Sequence, residues 1–323
     1  MQAVQFSEYG DSSALEVTDI DDPTPGSNEV RIEASAIGIN FKDIRQRKGL
    51  VTVDNFPFTP GMEVAGTIDA VGDNVDREVG DNVVARVDNS AYAEKVIAPN
   101  SFLFDIPGNL SFTEAAAFPV QFLTAYGVLF NRGDLQAGDK VLIHAAAGGV
   151  GTAAVQLARI AGAEIFATAS TDEKLEFAGD LGADHLINYS TSSFHEEINK
   201  ITGGEGVNLI LDGVGGKVFK KSLDALAPYG NIVTYGAASG DPGALEDTTH
   251  LYAGNNGVLG FHLTNTVKND PERILSAVSQ LSTQLEEEDL RAVVGKTFPL
   301  DQAGRAHDYI EARNSMGKTI LLP

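Results

Sequence analysis

From residue 140 onward the hydrophobic pattern switches repeatedly between two periods. Short apolar runs without polar alternation, as expected of strands buried on both faces, predict strands over 140–145, 164–168, 185–188, 207–211, 231–235 and 258–261. Between them, apolar residues at helical spacing predict helices over 152–161, 172–181, 193–202, 217–226 and 271–284. Strand and helix in alternation imply an α/β, doubly wound parallel sheet. Residues 1–120 read differently. Short alternating or apolar segments recur at 3–6, 15–18, 29–36, 64–71, 83–87 and 93–98, separated by turns such as Pro23-Thr24-Pro25-Gly26 and Gly72-Asp73-Asn74. That spacing predicts an antiparallel, barrel-like β domain with one helical excursion at 41–48. Ser111 and Glu114 form a capping-box pattern before an apolar stretch that runs to Phe130 and is broken at Pro119. Beyond residue 290, a helix near 301–312 and a last strand at 319–322 are expected to return to the first domain.

The sharpest local signal is Lys140–Gly162, KVLIHAAAGGVGTAAVQLARIAG. A buried strand leads into the glycine turn Gly148-Gly149-Val150-Gly151, and a helix follows. Glycines there let the backbone approach a pyrophosphate closely, and the helix start offers free N–H groups and a positive dipole end. The spacing departs from G-x-G-x-x-G, with Ala146 where the first glycine would fall. A tight strand-to-helix turn without a ligand is the plain alternative.

Composition narrows the possibilities. A length of 323 residues favours two domains, and 43% hydrophobic residues suffice for real cores. No apolar run reaches membrane-spanning length, and MQAVQFSEYG has no basic flank or long apolar core, so a cytoplasmic location is expected. Cysteine is absent, which excludes disulfides and thiolate metal sites. The six histidines show no tight ligand spacing and read as ordinary surface or core residues, so no metal site is expected. Asp and Glu number 45 against 23 Lys and Arg, a net charge of −22 that argues against nucleic acid and anionic membranes as partners. The acids are dispersed, apart from a cluster at 286–289, which suggests a halophilic protein; an acidic cytosolic one is the alternative.

HAAAGGVG at 144–151, GADHLINY at 182–189, LAPYGNIVTYG at 226–236 and GKTILLP at 317–323 resemble the medium-chain dehydrogenase/reductase superfamily. Its zinc-independent quinone oxidoreductases, related to zeta-crystallin, are the branch most similar. GINFKD at 38–43 and PFTPGMEVAG at 57–66 extend the resemblance over nearly the whole chain. Residues 148–170 also resemble enoyl reductase domains of polyketide synthases. The resemblance implies a Rossmann NADP(H)-binding domain at 123–263, inserted in a GroES-like β-barrel catalytic domain formed by 1–122 and 264–323. It further implies a homodimer or tetramer, often joined through the sixth Rossmann strands. Zinc members carry a His-Glu pair and cysteine ligands. Met62-Glu63 stands here instead, and Glu63 alone cannot build a tetrahedral zinc site.

NAD-specific Rossmann domains place an acid at the end of the second strand. That position falls near Ala169, which is not acidic. By resemblance Ser170, Lys174, Tyr189 and Arg313 hold the 2′-phosphate of NADPH, although Asp172 and Glu173 put negative charge nearby and Ser170 with Glu173 also fits a helix capping box. The nicotinamide end is implied to meet Asn40, Thr124 and Tyr126, with backbone near Gly236 and Phe261. Relatives often carry substrate-side tyrosines at the positions of Arg45 and Val51. With neither tyrosine present, Arg45 joins Asn40 and Thr124 as a candidate catalytic group. The expected activity is metal-free, NADPH-dependent hydride transfer to a quinone. Reduction of the C=C bond of an enone, alkenal or enoyl thioester is the alternative, and a noncatalytic NADPH-binding or structural protein is a more remote one.

Overall fold

The computed structural model describes every residue except 108, 109 and 288; of the acidic cluster at 286–289, Glu288 therefore lies outside the described residues. In chain order the elements begin with β1 Gln2–Gln5, β2 Glu16–Asp19, β3 Glu29–Gly38, α1 Phe41–Arg47, β4 Glu63–Val71, β5 Asn82–Arg86, β6 Lys95–Pro99, β7 Leu103–Asp105, α2 Phe112–Ala115 and α3 Pro119–Tyr126. A π-helical segment, Gly127–Arg132, extends α3. There follow β8 Lys140–Ile143, α4 Gly149–Ile160, β9 Glu164–Ala169, α5 Asp172–Asp180, β10 His185–Asn188, α6 Phe194–Ile201, β11 Val207–Asp212, α7 Gly216–Ser222, β12 Leu226–Thr234, α8 Thr249–Gly254 and β13 Gly257–Gly260. The last are α9 Leu263–Asn269, α10 Pro271–Glu286, β14 Val294–Pro299, α11 Ala303–Glu311 and β15 Lys318–Leu322.

The chain divides into two compact units, one of residues 1–120, 282–288 and 292–323, the other of residues 121–281 and 289–291. The second unit thus reaches beyond the boundary at 263 expected from the sequence. Its extension carries α9 and most of α10, and the Tyr126 hydroxyl donates to Gln280 at 3.0 Å.

The first unit holds a sheet ordered β14-β15-β3-β4-β5-β7, with β6 also paired to β3. Its pairs are antiparallel except β14 with β15. The alternation in β3 is legible in its burial: Val30, Ile32 and Ala34 face a core shared with Val64, Ile68, Val83, Ala85 and Val96, and after a register shift between Ala34 and Ala36 it is Ile37 that joins them. Ser111 and Glu114 form the expected capping box at α2. Asn40 stands at the N-cap of α1, and its N–H donates to the Asp43 carboxylate at 2.8 Å.

The second unit is a parallel sheet ordered β10-β9-β8-β11-β12-β13. β8, first in sequence, lies centrally, so the strand order reverses beside it. This is where doubly wound sheets bind ligands at their carboxyl ends. β8, β9 and β11 are buried almost throughout, as their unbroken apolar runs require.

The first unit also buries a polar chain. Tyr92 Oη donates to Asp43 Oδ2 at 3.1 Å and lies 2.9 Å from His307 Nε2. With its proton committed to Asp43, Tyr92 accepts from His307, which leaves His307 Nδ1 as the unpartnered ring nitrogen among the described residues. Burial holds His307 neutral, its pKa lowered to about 3. Burial also lifts Asp43 from 3.8 to about 6, against the Asn40 N–H, Lys318, Lys42 and Tyr92, which lower it. The raised value means that the contribution of Asp43 is fully present below 3.8 and is lost as pH rises through about 6. Asn cannot ionise, so Asp43→Asn should gain on the unsubstituted protein by about 1–1.5 kcal/mol between pH 5 and pH 7.5. Denaturant unfolding of both proteins across that range checks this; a pH-independent difference contradicts it.

Candidate functional site

The turn after β8 is shaped by what Gly151 lacks. A Cβ on Gly151 would lie 2.3 Å from the carbonyl oxygen of Ala145 and 2.7 Å from Ala146 backbone atoms. Helix α4 can therefore start against the turn only with glycine there. Ala145 takes a left-handed conformation, φ 51°, and its carbonyl accepts from Gly148 N–H at 2.9 Å. No side chain caps α4 at Gly148. The N–H groups of its first turn, from Gly149, Val150 and Gly151, have no acceptor within the helix and emerge at the carboxyl end of β8.

His144 stands beside this turn and is structural. Its Nδ1 lies 2.9 Å from Thr168 Oγ1 and its Nε2 2.9 Å from Ser222 Oγ. Ser222 donates its own proton to Val218 O, so His144 Nε2–H must be the donor in that contact. The ring is buried, which holds its pKa down at about 3. β8, β9 and α7 are thereby tied together by a neutral imidazole.

Ser170 follows β9 directly, Tyr189 follows the neighbouring β10, and Lys174 stands in the first turn of α5. Tyr189 N–H donates to Ala169 O at 3.2 Å, and Ser190 Oγ donates to Ser170 O at 2.9 Å. Thr171, rather than Ser170, caps α5: its hydroxyl accepts from Lys174 N–H at 3.4 Å. The alternative Ser170–Glu173 capping box is therefore not formed; the cap is the single bond at Thr171. Tyr189 is 40% exposed and so is not a core residue. Asn188 Nδ2 donates to Asp172 at 2.7 Å, which engages one nearby acid. Arg313 belongs to the first unit, exposed just after α11 with φ 58°.

A second group in the second unit comprises Thr124, Tyr126, Gly236 and Phe261. A Cβ on Gly127 would meet the Phe261 ring at 2.2 Å, so that ring lies flush on the end of the helix that carries Thr124 and Tyr126. Thr124 is 8% exposed, and Tyr126 turns its hydroxyl to Gln280. Gly236 packs on Gly213, where a Cβ would stand 3.0 Å from its carbonyl oxygen. Asp212 Oδ1 braces this turn by accepting from Val214 and Gly215 N–H, both at 2.9 Å. Its Oδ2 is buried without a partner among the described residues, and burial raises its pKa. Sequence reasoning passed over Asp212; its signal was an acid ending an apolar run before Gly213 and Gly215-Gly216.

In the first unit, Asn40, Glu63 and Lys318 meet. Lys318 Nζ pairs with Glu63 Oε1 and donates to Asn40 Oδ1 at 2.8 Å. Asn40 Nδ2 donates to Glu63 Oε1 at 2.9 Å, and Val120 N–H donates to Glu63 Oε2 at 2.8 Å. Both oxygens of Glu63 are thus engaged, one by an ammonium. Among the described residues no group of three or more His, Asp or Glu could hold a metal ion, so this donor set does not fit zinc. Arg45, half-exposed on α1, has no partner for its Nε among the described residues. Lys318 was missed at the sequence level because nothing local distinguishes it in GKTILLP.

The model for the GroES-like domain of alcohol dehydrogenases matches residues 26–125, and that for zinc-binding dehydrogenases matches residues 149–280. A quinone oxidoreductase of Pseudomonas aeruginosa is 35% identical over 327 aligned residues, which cover 99% of each chain. The chain belongs to the quinone oxidoreductase-like branch of the medium-chain dehydrogenase/reductase superfamily. Escherichia coli quinone oxidoreductase, solved with NADPH, superposes on this branch member with a TM-score of 0.95 at 31% identity over the whole of both chains. A 2-haloacrylate reductase of a Burkholderia species is 36% identical over 308 residues, 93% of this chain and 92% of that one. A synaptic vesicle membrane protein VAT-1 homolog of Danio rerio is 36% identical over 317 residues, and the alignment spans 65% of its length.

The packing of this quinone oxidoreductase-like turn sets the cost of filling it. Gly151→Ala should destabilise the protein by about 1–3 kcal/mol, as overpacking does. Gly148→Ala should cost far less, since its Cβ would sit 3.2 Å from Ala145 O at an ordinary negative φ. Thermal unfolding of the two variants tests the contrast, and equal losses would contradict the close-approach argument.

Proposed function

We propose that the chain is a zinc-free NADPH-dependent oxidoreductase that reduces a quinone. The observation that carries the cofactor assignment is the end of β9. Ala169 stands where an acid would favour NAD, and Ser170, the first-turn Lys174 of α5 and Tyr189 after β10 are the residues proposed to take a phosphate instead. A 2′-phosphate needs positive charge and several donors, and this group supplies both; Arg313 is a further candidate. The first-turn N–H groups at Gly149, Val150 and Gly151 suit a pyrophosphate, and the absent Cβ of Gly151 lets the helix start close to it. The nicotinamide falls to Asn40, Thr124, Tyr126, Gly236 and Phe261. When bound, NADPH supplies the hydride. The protein orients the acceptor and excludes water.

Two features favour a quinone over a ketone. The Glu63 region offers no Lewis acid, its carboxylate being taken up by Lys318, Asn40 and Val120. Arg45 and Val51 occupy the positions where relatives carry tyrosines, so no phenol stands ready to protonate an alkoxide. A quinone spreads incoming charge over its own ring and takes its protons from water. Reduction of a conjugated C=C bond is the second reading, favoured by the similarity to a 2-haloacrylate reductase, whose named substrate is a conjugated alkene.

A homodimer is part of the proposal. β13 is the last strand of its sheet and pairs only with β12 among the described residues, which leaves one edge open to a second copy. Tyr229 on β12 and Tyr252 on α8 are 74% and 71% exposed. The charge of −22 fits a halophilic, high-salt setting. No described helix is long and apolar enough to cross a membrane.

NADPH should bind more tightly than NADH, and Lys174→Ala should narrow the gap, because losing a charge-assisted hydrogen bond costs about 1.5–3 kcal/mol. Fluorescence titration of both cofactors measures this, and equal affinities in the unsubstituted protein would sink the cofactor assignment. With NADPH, catalytic efficiency should fall in the order benzoquinone, conjugated enone, simple ketone. An enone in first place promotes the second reading; a ketone in first place refutes the metal-free mechanism.

A further inference from the structure

The triad of Asn40, Glu63 and Lys318 is built at a cost that packing alone does not explain. Glu63 is fully buried and Lys318 is 4% exposed. A buried ion pair is often no more stabilising than well-packed apolar side chains of the same volume. Room had to be made for it as well. A Cβ on Gly38 would lie 2.5 Å from Glu63 Oε1 and 2.6 Å from Ala116 O, so glycine at the end of β3 admits the carboxylate.

The arrangement does something specific to Asn40. An asparagine amide has two orientations of nearly equal shape, related by a half-turn. Lys318 can only donate, and ionised Glu63 can only accept. One orientation satisfies both, with Oδ1 on Lys318 Nζ and Nδ2 on Glu63 Oε1. The flipped amide would set donor against donor and acceptor against acceptor. The Asn40 backbone is held too, by its N–H to Asp43. Of the two Nδ2 protons, one goes to Glu63, while the other has a long contact of 3.4 Å to Gly38 O. Asn40 is partly exposed, and the long contact leaves that second N–H only weakly satisfied within the chain. The cation on Oδ1 draws density from the amide and strengthens the N–H as a donor.

We propose that Lys318, paired with Glu63, is a positioning residue that locks the Asn40 amide with an Nδ2–H directed at the acceptor oxygen on which negative charge develops during reduction. This rests on the reading of the chain as a reductase with Asn40 at its reacting centre. The donor is present before charge develops, as electrostatic stabilisation of an oxyanion requires.

The test joins kinetics to an observable that needs no turnover. Lys318→Met, Lys318→Arg, Asn40→Ala and the double variant Lys318→Met/Asn40→Ala are compared with the unsubstituted protein. Lys318→Met should lower kcat with benzoquinone at least tenfold and leave the Kd for NADPH within twofold. Lys318→Arg should recover part of that loss. In the Asn40→Ala background Lys318→Met should change kcat less than twofold, because the residue through which it acts is gone. Losses that multiply in the double variant, or an unchanged kcat in Lys318→Met, overturn the proposal. The side-chain 15N–1H signals of Asn40, assigned by their absence in Asn40→Ala, should move in cofactor-free Lys318→Met; unmoved signals also overturn it. If the unsubstituted protein reduces no acceptor, the reductase reading fails and the proposal falls with it, while the amide signals separately show whether Lys318 orients Asn40. Should Lys318→Met leave Glu63 unpaired and fail to fold, Glu63→Gln/Lys318→Met removes both charges and takes its place, with the same expected losses and the same contrary results.

Discussion

The start of α4 against β8 depends on one close approach, that of Gly151 to the Ala145 carbonyl. Without it α4 would begin farther from β8, and its first-turn N–H groups would not converge on the carboxyl end of the central strand. The surrounding groups support that approach. Ala145 accepts a left-handed backbone, and Ala146 N–H donates to Thr168 O at 3.1 Å, tying the turn to β9. The His144 imidazole bridges Thr168 and Ser222 on either side of it. A charged imidazole there would be desolvated without a counter-charge, so burial selects the neutral form that can donate at one nitrogen and accept at the other.

Elements whose signal is periodic were legible in the sequence. β10 is found at His185–Asn188 as the pattern predicts, and β3, β4, α5 and α10 agree within two residues. The misses share a cause. β7 has only Leu103–Asp105, too short for any period to register. β12 starts at Leu226 rather than 231, because Pro228-Tyr229-Gly230 reads as a turn although the strand passes through it, with Tyr229 at φ 64°. β14, with glycine, lysine and threonine exposed along it, has no apolar run and is a strand because β15 pairs with it. The cap of α5 shifted from Ser170 to Thr171 because either hydroxyl suits the role and only the backbone at the strand end decides.

The candidate site divides along the same line. Gly148–Gly151, Ser170, Lys174 and Tyr189 lie within about one βαβα stretch, so sequence order nearly fixes their company. Lys318 and Asn40 are separated by 278 positions, and Tyr92 and His307 by 215. Contacts at such separations are set by which strands pair: β15 runs antiparallel to β3, with Ile320 opposite Gly38. That register carries Lys318 to Asn40 and Glu63, and no local pattern encodes it.

The charge balance sharpens the meaning of those long-range contacts. A chain with 23 basic residues against 45 acidic ones has few cations to spare for its surface. Yet Arg47, Arg86 and Lys318 are all at most 4% exposed. Arg47 reaches Glu311 and Arg86 reaches Asp88, so each is at least partly neutralised within its own unit. Lys318 differs from them in bonding a half-exposed neutral amide as well as a carboxylate. Withdrawing these cations leaves the exterior more acidic still, so any anion would approach against that field. Attraction of an anion then falls to local donors, such as the unpaired N–H groups at a helix start. Salt screens the long-range repulsion within about 10 Å at 0.1 M and about 3 Å at 1 M, while direct contacts with phosphate lose less. An acidic exterior combined with a few committed cations thus leaves attraction of an anion to direct contacts, and salt weakens the opposing long-range field more than it weakens those contacts.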